Sequence, residues 1–221
     1  MNSLRVLYED NHVLAVVKPA GVPVQEDETR APDLLNQAKQ YIKERYGKPG
    51  EVYLGMVHRL DRPVGGIVVF ARTSKAAARL SAQIADRAWD KTYFAIVEGA
   101  PPDEGTAIDW LLRDEPTRLT HVVAEGDKTA KRAELSWRVL DRRDGLSLVQ
   151  IALVTGRHHQ IRVQMASRGW PIWADARYGT ARADDIALWA ASVGFWHPTA
   201  GARIVLTAMP PPSPAWRRML I

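Results

Sequence analysis

The 221-residue chain contains no cysteine. A disulfide framework, a thiolate zinc site and a cysteine nucleophile are therefore excluded. Nowhere does an uninterrupted apolar run approach the ~18 residues of a membrane span, and residues 1–10 lack the basic-then-apolar order of a secretory signal. A cytoplasmic protein without a membrane partner is the expectation. Self-similarity at periods of about 20–50 residues is also missing, which argues against solenoid and propeller architectures. Acids are scarce in particular stretches. Between Val52 and Ala85 the only carboxylate is Asp61, set among Arg59, Arg62, Arg72, Lys75 and Arg79. Gly145 to Ala174 holds no acid but three arginines, Arg157, Arg162 and Arg168, and none follows Asp185.

What is present is the composition of a globular protein, 46% hydrophobic and 25% charged, which removes disorder, collagen and coiled coil as whole-chain descriptions. The length fits one domain over residues 1–221, or two lobes sharing a core. Thirty Lys and Arg against 25 Asp and Glu give a net charge of only +5, so the basic stretches matter more than the total. Locally basic segments suit a polyanion, because phosphate neutralisation is the general source of nucleic-acid affinity. A solvated basic face with no ligand remains the alternative.

The pattern along the chain predicts more strands than helices. Val6–Tyr8 and Val13–Val17 flank the polar turn Glu9-Asp10-Asn11-His12 and read as a β-hairpin, which Lys18-Pro19-Ala20-Gly21 ends. Asp33 is placed to cap a helix carrying Leu34, Leu35, Ala38, Tyr41 and Ile42. Ile67–Ala71 reads as a buried strand, followed by a helix capped by Ser74, with Ala77, Leu80 and Ile84 inward and an end near Trp89. Thr92–Val97 is strand-like. Residues 103–129 are polar and rich in both charges, and are expected to be irregular, an insertion or mobile arm. Leu135–Leu140 and Leu146–Val154 read as paired strands, His159–Ser167 as a helix, Leu188–Phe195 and Ala202–Leu206 as closing strands, with a short helix after Pro214. Hairpins outnumber strand–helix–strand units, so the expected class is α+β with a mostly antiparallel sheet.

Three segments could carry chemistry. In His58-Arg59-Leu60-Asp61-Arg62, neighbouring guanidinium groups favour an ionised Asp61. An ionised carboxylate suits a nucleophile better than a general acid, which needs a raised pKa. Without more context, a surface Asp–Arg pair contributing little to stability is the commoner outcome. In Thr155-Gly156-Arg157-His158-His159-Gln160-Ile161-Arg162, a helix starting near His158 would place Arg162 about one turn in, able to hold a carboxylate through two parallel hydrogen bonds. Adjacent His158 and His159 do not share a helix face and have no nearby carboxylate, so no metal is expected there. In Lys91-Thr92-Tyr93, strand alternation puts Lys91 and Tyr93 on one face, where a tyrosine ring could stack on a planar group.

Together these segments resemble the RluA-type family of RNA pseudouridine synthases. His58-Arg59-Leu60-Asp61 is similar to the signature around that family's catalytic aspartate, Lys91-Thr92-Tyr93 to the strand bearing its active-site tyrosine, and Gly156 through Arg162 to its later arginine motif. The opening hairpin with Lys18-Pro19-Ala20-Gly21, then Asp175-Ala176-Arg177-Tyr178-Gly179 and Phe195-Trp196-His197-Pro198, fall in the family's order. Two positions depart from it. Val64-Gly65-Gly66 stands where Thr-Ser-Gly is usual, and His158 where threonine is usual.

The resemblance implies two lobes around a central basic cleft and isomerisation of uridine to pseudouridine without metal or cofactor. It implies that Asp61 is essential for breaking the C1′–N1 bond, by attack at C1′ or through a glycal-type route. Arg162 would pair with Asp61, Tyr93 would pack on the target base, and Arg59 would fill the space vacated by the flipped nucleotide. His58, Arg62, Arg157, His158 and His159 are candidate RNA contacts. The accessory N-terminal RNA-binding domain of some relatives is not expected, so the catalytic domain would select the substrate. Bases splayed from structured RNA are the least costly to flip. Ribosomal RNA is the first expectation, transfer RNA the second, and the simplest assembly is a monomer. Two other classes compete: a non-catalytic RNA-binding protein, and an RNA-directed hydrolase needing a second carboxylate beside Asp61.

Overall fold

The computed structural model describes residues 4–28, 30–182 and 185–219. In chain order the elements are β1 (Arg5–Glu9), β2 (Val13–Lys18), α1 (Leu34–Arg45), β3 (Gly55–Met56), β4 (Gly65–Ala71), α2 (Ser74–Ala85), β5 (Asp90–Glu98) and β6 (Glu104–Asp114). There follow β7 (Leu119–Val123), β8 (Lys131–Arg143), β9 (Leu146–Leu153), α3 (Gln160–Ala166), β10 (Leu188–Trp196), β11 (Arg203–Thr207) and a 3-10 turn at Trp216–Arg218. The chain divides into two compact units, Met1–Trp89 with Ala190–Met209, and Asp90–Trp189 with Pro210–Ile221.

In the first unit β2 pairs antiparallel with both β1 and β4, and β3 pairs with β4. Every residue of β2 and β4 is buried, which explains why both read as unbroken apolar runs rather than alternating ones. The hairpin turn closes because Asp10 Oδ1 accepts from the amides of His12 and Val13, each at 2.7 Å. Asp33 caps α1 as expected, accepting from Asn36 N at 3.0 Å, and Leu34, Ala38 and Ile42 form its buried stripe. The second helix corrects the sequence reading by one residue. Thr73, not Ser74, is the N-cap, its hydroxyl accepting from Ala76 N at 3.1 Å; Leu80 is buried as expected, and Ala76, rather than Ala77 or Ile84, is buried with it. The helix stops at Ala85, and Trp89 instead stacks on Phe195 with ring centroids 5.1 Å apart.

Gly66 has φ +124° in β4, beside β10, and a Cβ there would collide with the carbonyl, amide and Cβ of Ala190. No L side chain adopts that backbone comfortably. Gly66→Ala is expected to destabilise the protein by about 2–4 kcal/mol through overpacking and strain. Thermal melting of the variant measures this, and an unchanged midpoint would contradict it.

In the second unit β5 pairs with β9, β9 with β8, β8 with β6 and β6 with β7, all antiparallel. The expected α+β class with a mostly antiparallel sheet is borne out. Residues 103–129 are not irregular, because β6 and β7 lie within them as a hairpin continuing the strand series. Alternation is disguised there because Asp109 takes an inward position between Ala107 and Leu111. It is tolerated because Gln164 Nε2 and Arg168 Nη1 donate to it at 2.6 and 2.9 Å. The inward face of β6 and β8 also packs on Val163 of α3 through Leu111 and Ala133.

Candidate active site

The Asp61 loop joins β3 to β4, and the first unit holds it at several points. Leu60 and Val64 are buried on either side of Asp61, and Val64 N closes a turn by donating to Asp61 O at 3.0 Å. His58 is fixed to the scaffold. Val69 N donates to its Nε2 at 2.9 Å, which assigns the ring proton to Nδ1, and its ring meets Trp89 edge-on at 5.3 Å. Asp61 itself is half-buried, whereas Arg59 and Arg62 are exposed.

A second loop braces the first. Lys18 is fully buried at the end of β2, and its Nζ donates to the carbonyls of Pro19, Val22 and Arg62 at 3.0, 2.6 and 2.9 Å. Gly21 N donates to the same Arg62 carbonyl at 2.9 Å, and Arg62 Nε returns a bond to Gly21 O at 3.0 Å. The backbone next to Asp61 is thus bolted to residues 18–22. Burial pushes the Lys18 pKa down to about 7, while the Asp61 carboxylate favours its charged form. Sequence reading placed Lys18 at a strand end, in a segment that falls in the family's order, and gave it no partner. Its role depends on a contact 44 residues away, for which the chain offers no local signal.

In the second unit Tyr93 is nearly buried on β5, opposite Ile151 of β9. The arginine motif forms a braced loop ahead of α3. Gln160 Oε1 accepts from Thr155 Oγ1 at 2.8 Å and Arg157 N at 3.0 Å, while its Nε2 donates to Glu134 O at 3.0 Å. His159 precedes the helix with φ +51° and no side-chain cap, so Gln160 does the bracing in its place. The tandem histidines stack at 3.7 Å, with His158 Nδ1 bonded to Thr120 Oγ1 at 2.9 Å and His159 Nδ1 to the Tyr178 hydroxyl at 2.8 Å. Among the described residues no three metal-ligating side chains converge.

Arg162 is 4% exposed and forms a two-pronged pair with Asp175, Nε to Oδ2 at 2.8 Å and Nη2 to Oδ1 at 2.7 Å. Its guanidinium also lies 5.3 Å from the centre of the Tyr178 ring, whose hydroxyl accepts from Thr120 N at 2.8 Å. Burial alone would raise the Asp175 pKa. The hydrogen bonds and charge of Arg162, joined by the amides of Arg177 and Tyr178, outweigh burial and hold it below the ordinary carboxylate range. Sequence reading placed Asp175 in a segment that falls in the family's order and gave it no partner. Its place here is as the anchor of the motif arginine.

A family model described as RNA pseudouridylate synthase matches residues 12–167. Ribosomal large subunit pseudouridine synthase D of Zymomonas mobilis is 34% identical over 221 aligned residues, covering 94% of this chain and 69% of that protein. Ribosomal large subunit pseudouridine synthase C of Vibrio cholerae is 32% identical, covering 92% of this chain and 64% of that protein. The chain therefore spans about two thirds of the length of these curated relatives. A solved structure of human RNA pseudouridylate synthase domain containing 4 shares the fold with a TM-score of 0.79 at 20% identity, covering 94% of this chain and 89% of that one. No helix among the described residues is long and apolar enough to cross a membrane.

Proposed function

Because the chain belongs to the RNA pseudouridylate synthase family, we propose that it isomerises particular uridines in structured RNA, ribosomal RNA first and transfer RNA second. The observation that carries the reading is the family match over residues 12–167, which takes in the braced Asp61 loop, Tyr93 and the Arg162 motif together. In the proposed reaction the C1′–N1 bond breaks, uracil rotates and a C1′–C5 bond forms. The C5 proton leaves and N1 acquires one, so the substrate's composition is unchanged and no redox partner, metal or cofactor is required.

Asp61 is the reactive anion. Attack on C1′ and the glycal-type route both require it ionised, and Arg162, positioned by Asp175, is its assigned partner. Tyr93 packs on the target base and assists loss of the C5 proton. Arg59, exposed two residues before Asp61, occupies the gap left by the flipped nucleotide. Arg62, Arg157, His58, His158 and His159 face the RNA in this scheme, the three histidines also bracing their loops through the bonds described above. We take residues 1–221 as one catalytic domain, acting as a cytoplasmic monomer where such RNA is found.

A hydrolytic reading is less well supported. A glycosidase needs a carboxyl group with a raised pKa as general acid, and Asp175 is bound to Arg162 with its pKa lowered. Incubating the protein with ribosomal RNA and analysing the nucleosides tests the proposal. Pseudouridine should appear at the expense of uridine with chain length and total mass unchanged. Free uracil or chain cleavage would overturn it.

A further inference from the structure

Among the described residues, several buried or half-buried cations are compensated. Arg162 has Asp175, Arg168 has Asp109, Arg72 has Glu9, and the Lys18 ammonium has three carbonyl oxygens. Lys91, at the start of β5, is different. It is partly buried, yet among the described residues no carboxylate and no hydrogen-bond acceptor engages its ammonium group. A Cβ placed on Gly156 would lie only 3.5 Å from Lys91 Nζ, so the ammonium sits against the backbone of the arginine-motif loop. The charge it meets there is another cation, Arg157, and burial together with Arg157 lowers the Lys91 pKa from the usual lysine value.

That arrangement is unfavourable in the free protein. Burying a cation without a partner costs free energy, and a like charge adds to the cost. The loop nevertheless holds the pair in place. Arg157 N is bonded to Gln160 Oε1 and Arg157 Nε to Arg132 O, each at 3.0 Å, so the second cation is fixed at its backbone and at one edge of its guanidinium. The sequence holds no acid between Gly145 and Ala174, and the Glu134 carboxylate beside the loop is paired with Arg132 at 2.6 Å. Two positioned cations without an anion make a site for one, provided the anion arrives with a ligand. Strand alternation adds the location. Lys91 lies two residues before Tyr93 on the same face of β5, a rise of about 7 Å.

We infer that Lys91 and Arg157 together bind one phosphodiester of the RNA, next to the nucleotide whose base packs on Tyr93. The assignment rests on the RNA-modifying function proposed above and adds a phosphate subsite to it. The Lys91 ammonium is a compact donor with three N–H groups, and Arg157 offers its remaining guanidinium edge, so a single phosphate can accept charge-assisted bonds from both. Bound phosphate would remove the mutual repulsion and relieve the unpaired burial at once.

The test separates this role from a structural one because the two predict opposite signs. Wild type, Lys91→Met and Lys91→Arg are compared by thermal melting without RNA, and by anisotropy with a short fluorescein-labelled, uridine-rich RNA over a salt series. If Lys91 serves the substrate, Lys91→Met should melt about 1–3 °C higher than wild type, since a partly buried unpaired charge has been removed. The same variant should bind the RNA about 3–10-fold more weakly near physiological salt, with a slope of log K against log salt shallower by about 0.7, the value for one phosphate on a single strand. Lys91→Arg should recover most of the affinity and the slope. Affinity and slope equal to wild type in Lys91→Met would overturn the subsite, as would a lower melting point with binding unchanged. Failure of the wild-type protein to bind the RNA at all would instead remove the RNA reading on which the subsite rests.

Discussion

Asp61→Asn should reduce pseudouridine formation by at least about 10⁴-fold, the scale seen when a nucleophile is removed from a preorganised site. Binding of RNA should stay within about threefold of wild type, because affinity for a polyanion is the sum of many phosphate contacts and loses nothing when a carboxylate is neutralised. The substitution suits the comparison because asparagine keeps the shape of aspartate. The turn closed by Val64 N onto the residue-61 carbonyl uses backbone only, and the buried neighbours Leu60 and Val64 are untouched. One indirect effect has a definite sign. The Asp61 charge supports the protonated form of Lys18, so its removal should take the Lys18 pKa below about 7. A neutral amine has two N–H groups for the three carbonyls it now serves, so the loop brace should loosen slightly at neutral pH and recover in mild acid. Nucleoside analysis, anisotropy and circular dichroism on one preparation measure all three quantities. Turnover within about tenfold of wild type in a folded Asp61→Asn protein would remove Asp61 from the chemistry.

The elements that sequence reading placed correctly are those whose determinants are local. The first hairpin is set by one polar turn whose Asp10 bonds residues two and three positions on. Helix α1 is set by Asp33 and a stripe at four-residue spacing. Where two local solutions compete, pattern alone does not choose. Thr73 and Ser74 are both competent caps, and the extended backbone at Thr73, φ −140° and ψ 154°, selects it. Where a determinant is distant, the pattern misleads. Asp109 interrupts the inward alternation of β6, and its partners Gln164 and Arg168 lie 55 and 59 residues away. The hairpin they support therefore reads as irregular chain.

The candidate site divides along the same line. Asp61, Tyr93 and Arg162, the residues proposed for the chemistry, stand in short motifs. The groups that hold those residues do not, since the contacts Lys18–Arg62, Gln160–Glu134, Asp175–Arg162 and Tyr178–Thr120 span 13 to 58 residues. Each has an ordinary local role in the sequence: a strand end, a helix start, a loop acid, a loop tyrosine. The positioning shell emerges only when side-chain directions are known, because the same residue types at the same spacing would serve equally well on a solvated surface. His58 illustrates the point. It was read as an RNA contact, and its Nε2 is bonded to the Val69 amide inside the first unit.

Among these supporting residues Asp175 should have the largest effect on stability. Asp175→Ala removes the carboxylate that accepts two hydrogen bonds from a guanidinium that is 4% exposed. Breaking such a pair from one side costs about 3–5 kcal/mol, which for a protein of this size lowers the melting temperature by roughly 6–20 °C. The amides of Arg177 and Tyr178 lose the same acceptor, at 2.9 and 3.3 Å, so the segment that presents Tyr178 to Arg162 should loosen too. Asp175→Asn, which keeps one acceptor oxygen and loses the charge, should fall between the two. The pH dependence gives an independent check. The folded-state pKa of Asp175 lies below its unfolded value, so its contribution is complete above the unfolded value of about 3.9 and fades as pH falls through the folded one. The difference in melting temperature between wild type and Asp175→Ala should therefore be constant from about pH 5 to 8 and shrink below about pH 4. A difference of under about 2 °C at neutral pH, or one that widens in acid, would show that the Arg162–Asp175 pair does not hold this loop. If it does, pseudouridine formation by Asp175→Ala should also fall at temperatures well below its melting point, because Arg162 would no longer be held in place by its loop.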